Sequence, residues 1–212
     1  MLFDGPSLVP QVLSLHANTV ARWHEAPFPQ GGGDSSLDNP YTGLLAVVCQ
    51  QHQYNFLLWH EEDIARRPDV GDNQIATVKR SIDKLNQQRN DWIERIDETL
   101  IQMLSTGGFR ATEDAKLNTE TPGSACDRLS IMSLRVFHLE EELARQETDS
   151  AHQEKVQQRL ARCHLQQADL SQSLGELLEE IFAGRKLLKV YRQMKMYNDP
   201  TLNPELYRRQ AG

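Results

Sequence analysis

His52, Asn55, Trp59, His60, Glu61 and Asp63 crowd the end of one helical stretch, and Lys79, Asp83, Asn86, Asn90, Asp91, Glu94 and Asp97 run down the next. Imidazoles, carboxylates and amides at this density are the groups that hold metals, bind anions or move protons. At helical spacing His52, Asn55, Trp59 and Asp63 fall at i, i+3, i+7 and i+11 and form one stripe, with His60 on the neighbouring stripe beside Phe56 and Ile64. Lys79, Asp83, Asn86, Asn90 and Asp97 flank the apolar seam of the following helix. Asn is a poor helix former, so its recurrence there asks for a reason beyond solvent exposure.

Two functions fit these residues. In the first, the chain binds or converts a phosphorylated or otherwise anionic compound together with a divalent metal. His52, His60, Asp63 and Lys79 then form the catalytic set, a histidine acting as general base and Lys79 or Lys195 neutralising developing charge. Asn55, Asp83, Asn86, Asn90, Asp127, His138, Lys195 and Asn198 hold the ligand, and Glu61 and Asp63 hold the metal. This requires His52, Asp63, Asp83 and Asn90 to enter one cleft. In the second, the chain is a structural or interaction protein, and the polar stripes are a buried network that fixes helix register.

The positioning elements are helices. Leu8, Val12, Leu15, Thr19 and Trp23 mark a first helix ending before Pro27, and residues 27–40, with three successive glycines, read as a loop. A second helix is expected from Tyr41 to Arg67, between Pro40 and Pro68. After a turn at 70–72, Ile75, Val78, Ile82, Leu85, Trp92, Ile96 and Met103 alternate three and four residues apart, which predicts an antiparallel partner helix. Residues 105–123 read as a second irregular stretch. Asp127 opens a further long helix, as an N-terminal cap or charge, and His138 and Glu141 lie farther along it.

From Val156 through Leu160, Cys163, Leu170, Leu174, Leu177, Ile181 and Leu188 to Tyr191 the 4,3 spacing predicts one very long last helix, bent near Gly175 or Gly184 or covered by a partner. The tail at 196–212 should pack back through Tyr197, Leu202, Leu206 and Tyr207. The expected fold is all-α: one domain spanning 1–212, an antiparallel bundle of four to five long helices with an extended C-terminal helix that makes a homodimer.

Composition narrows the partners. With 39% hydrophobic and 25% charged residues among 212, the chain reads as one soluble, cytoplasmic domain without a membrane span. A net charge of −7 argues against general nucleic-acid binding, although Arg185 to Arg209 holds seven basic residues against Asp199 and Glu205. Cys49, Cys126 and Cys163 are widely spaced among apolar residues and read as buried thiols.

Four segments, Asn55 to Arg66, Ile75 to Asp91, Asp127 to Ile131 and Lys195 to Pro204, resemble the bacterial family known as domain of unknown function 4254. The resemblance covers the chain from about residue 40 onward. It implies a soluble bacterial helical protein and carries no activity with it.

Overall fold

The computed structural model describes residues 5, 7–25, 37–146, 149–194 and 199–207. Among these residues five long helices make the fold: α1 (Leu8–Glu25), α2 (Gly43–Ala65), α3 (Asp72–Thr106), α4 (Pro122–Ala144) and α5 (Ser150–Phe182). The fold is the all-α bundle that periodicity predicts. A short α6 (Pro204–Tyr207) follows, and two two-residue strands, β1 (Lys116–Leu117) and β2 (Lys186–Leu187), pair in parallel.

α2 packs along α3 and α4 along α5, while α1 lies against both α2 and α4. α2 is the central helix. It buries Val48, Cys49 and Phe56 on one side and Leu58 toward Val78, Ile82 and Leu85 of α3 on the other. A helix covered on several sides carries its polar residues into the core, and Gln51, His52, Gln53 and Asn55 are all buried. They must therefore find partners inside.

Two boundaries differ from expectation. α4 starts earlier than Asp127: Thr121 caps it, accepting from Ser124 N at 3.2 Å, and Pro122 occupies the first turn. Gly123 lets this end approach α3, for a Cβ there would lie 2.4 Å from Ile93 O. Its N–H donates to Asp97 Oδ1 at 2.8 Å.

α5 stops at Phe182 instead of reaching Tyr191. Gly184 adopts φ +74° and passes so close to Arg110 O that a Cβ would sit 2.5 Å from it. The chain reverses there and β2 joins β1. The apolar residues beyond 182 thus belong to a different element, although Leu188 still packs on the core.

Residues 188–194 follow α3, where Arg192 Nη1 bonds Glu94 at 2.9 Å and Nη2 bonds Glu98 at 2.5 Å. Leu202, expected as an anchor, is 52% exposed. Residues 26–36 of the first loop, and Lys195, Tyr197 and Asn198 of the tail, lie outside the described residues. Among the described residues, no helix is long and apolar enough to cross a membrane.

Candidate functional site: a three-histidine cluster

The polar residues of α2 sort into two assemblies. The first centres on Asp127, a buried residue in the second turn of α4. Its Oδ1 accepts from Gln51 Nε2 at 2.7 Å, Asn55 Nδ2 at 2.9 Å and Arg89 Nε at 2.7 Å, and its Oδ2 accepts from Arg89 Nη2. Ser130 Oγ accepts from Asn55 Nδ2 at 2.8 Å and lies 2.6 Å from His52 Nδ1, to which its hydroxyl can donate. Asp127 thus does not cap α4. It joins α2, α3 and α4 in a network whose carboxylate is fully occupied by protein donors.

The second assembly is built from three helices. His24 in the last turn of α1, His60 on α2 and His138 on α4 each offer a ligand atom, and these atoms lie within 4.8 Å of one another. Three such atoms have a common point within about 2.8 Å of each, against about 2.0–2.1 Å for a zinc–imidazole bond. Side-chain adjustment of under about 1 Å would close the shell. His24 Nδ1 donates to Val20 O and His138 Nδ1 to Leu134 O, both at 2.8 Å. Each bond fixes the ring and its tautomer, leaving Nε2 as the lone pair.

Aromatic rings wall the cluster. Trp59 stacks on His138 with centroids 4.6 Å apart, Phe137 stacks on His24 at 4.3 Å, and Phe56 meets His60 edge-on at 4.5 Å. Burial, reinforced by the neighbouring His24 and His138 imidazoles, pushes His60 down to about 4. His60 is consequently a neutral donor at physiological pH.

The expected cleft of His52, Asp63, Asp83 and Asn90 does not form. His52 is fully buried, with its ring 4.5 Å from that of His16. Burial is the main reason its imidazole is held well below the usual range. Lys79 and Asp83 pair with each other at 3.3 Å on the exposed face of α3. Asn86 and Asn90 are half-buried and, among the described residues, stand apart from the Asp127 network. Glu61 is buried and hydrogen-bonded to Ser81 of α3, outside the three-histidine group, and burial raises its carboxyl. Asp63 is exposed but within electrostatic reach of His138.

Of the sequence candidates among the described residues, only His60 and His138 meet in the second assembly. His24, Gln51, Arg89 and Ser130 are additional. One sequence signal for His24 exists: α1 and α2 each carry histidines eight residues apart, His16 with His24 and His52 with His60. The pairs meet in that order, at 4.5 and 5.1 Å, so α1 and α2 run in the same direction.

The fold and cluster together define a helical-bundle protein with a pre-formed set of imidazole donors. Residues 45–190 match the family described as Protein of unknown function (DUF4254), and the chain belongs to that family. No curated protein and no solved structure matches it. The match includes His60, His138 and the Asp127 network, while His24 precedes it.

Proposed function

We propose that this protein binds a divalent transition metal through His24, His60 and His138 and uses the remaining coordination positions for water or an anionic ligand. The reading is carried by one observation: three imidazoles from three helices present ligand atoms within 4.8 Å of one another, two of them oriented by backbone carbonyls. Imidazole donors suit zinc, copper, iron and nickel, whereas magnesium and calcium prefer oxygen. Three protein ligands leave an open position, the arrangement of catalytic rather than closed structural zinc. Asp63, near His138, would accept a proton from metal-bound water. The bacterial, cytoplasmic setting implied by composition and family resemblance belongs to this proposal.

Equilibrium dialysis against zinc should give one ion per chain, with affinity falling at least tenfold in His24→Gln and His138→Gln, a loss of about 1.4 kcal/mol or more. Equal affinity in both variants and the parent would reject the site. A second reading is self-association through α5, favoured by Leu165, which is 63% exposed on a helix packed chiefly against α4. Sedimentation at micromolar concentration tests it, and a mass of one chain unchanged on dilution would exclude it.

A further inference from the structure

A groove of about 540 Å³ opens between α4 and α5 beside the histidine cluster, and His138 and its stacking partner Trp59 line both. Its floor is apolar, from Trp59, Leu139 and Cys163, the last of which is half-buried rather than enclosed as its sequence surroundings suggest. Three guanidinium groups surround that floor: Arg135 from α4, and Arg159 and Arg162 from α5. All three are exposed, and among the described residues none forms an ion pair. Among the described residues the one carboxylate in the lining, Glu142, is already engaged by Arg145 at 3.0 Å and His152 at 2.8 Å.

In a chain of net charge −7, three unneutralised arginines around one apolar groove are a local reversal of charge. Guanidinium forks match the oxygens of a phosphoryl group in bidentate geometry. The volume lies within the usual range of about 300–1,000 Å³ for small-molecule sites. Apolar walls and a cationic rim together select a ligand that has both an acidic head and a non-polar body.

We infer that the groove binds a small phosphomonoester with an aromatic or apolar body, its phosphoryl group on Arg135, Arg159 and Arg162 and its body against Trp59 and Leu139. Delivery of that phosphoryl group to a metal rests on the three-histidine reading. Capture of the anion does not. His138 lines the groove and also belongs to the cluster, so the two sites share one imidazole.

Phenyl phosphate is the probe, titrated calorimetrically into metal-free protein with EDTA present, beside inorganic phosphate and benzyl alcohol. The expected result is saturable binding of phenyl phosphate, at least about tenfold tighter than either fragment and weakening with salt. Losing charge-assisted hydrogen bonds should weaken it about tenfold or more in R159Q/R162Q, with R135Q as an independent variant from the other helix. These positions are exposed, so circular dichroism should be unchanged and zinc affinity should stay within about twofold. Absent saturation, equal binding of inorganic phosphate, or parental affinity in both variants would overturn the inference. Phenyl phosphate binding in a protein that fails to take zinc would retain the groove and remove the metal.

Discussion

Asp127→Ala separates the two polar assemblies. The substitution leaves Gln51 Nε2, Asn55 Nδ2 and the Arg89 guanidinium without their common acceptor. Removing one partner of a buried ion pair costs about 3–5 kcal/mol. Arg89 has a side chain 26% exposed and regains some water, so the lower end applies, about 3 kcal/mol. For a chain of 212 residues that is a fall in Tm of roughly 6–12 °C. Asp127→Asn keeps an acceptor for one amide and should recover part of the loss. In a double-mutant cycle, Arg89→Met and Asp127→Ala should couple strongly, because each single change strands the other group. Urea unfolding followed by circular dichroism measures these terms, and zinc dialysis on the folded variants supplies the contrast. If the network is structural, stability falls while zinc affinity is retained. A loss below about 1 kcal/mol, or loss of zinc binding with stability intact, would refute the division between network and site.

His16 is fully buried, and burial pushes it down to about 3, well under the ordinary 6.5. The unfolded chain then takes up the proton first, so stability should fall as pH drops below about 6.5, by about 2 kcal/mol at pH 5 from this group. Asp97, raised mainly by burial to about 6, acts in the opposite sense: its share is present at low pH and is lost as pH rises from about 4 through 6. His16→Phe should therefore flatten the acid limb of stability against pH, and an unaltered limb by urea unfolding at pH 5 and 7 would contradict this. His60→Leu should hold or raise thermal stability while removing stabilisation by zinc; a zinc response equal to the parent's would exclude His60 as a ligand. Gly184→Ala should destabilise by about 2 kcal/mol, since it places a Cβ at positive φ against Arg110 O, and an unchanged urea midpoint would show that the reversal tolerates a side chain.

The helices were legible because their apolar residues recur at helical spacing, most clearly along α3 from Val78 to Leu100. The end of α5 was not. Leu188 and Tyr191 continue the 4,3 spacing by coincidence, and only the close approach of Gly184 to Arg110 O turns the chain. Two-residue strands have no period to read, so the pairing of Lys116–Leu117 with Lys186–Leu187 left no pattern. Asp127 looked like a helix start because the true cap, Thr121, lies within a segment rich in breakers. Its actual role depends on Gln51 and Arg89, 76 and 38 residues away. His60 and His138 could be picked out as polar groups among apolar neighbours. Their meeting with His24 depends on α1 and α2 running in the same direction, which no local spacing states.

X-ray absorption at the zinc edge, on protein loaded with one equivalent, tests the proposed metal site directly. The proposed site predicts three imidazole nitrogens at about 2.0–2.1 Å plus a light-atom ligand from water, with the imidazole multiple-scattering signal reduced in His24→Gln. A shell of oxygen alone, a thiolate sulfur at about 2.3 Å, or an imidazole signal unchanged in that variant would contradict a metal centre at His24, His60 and His138.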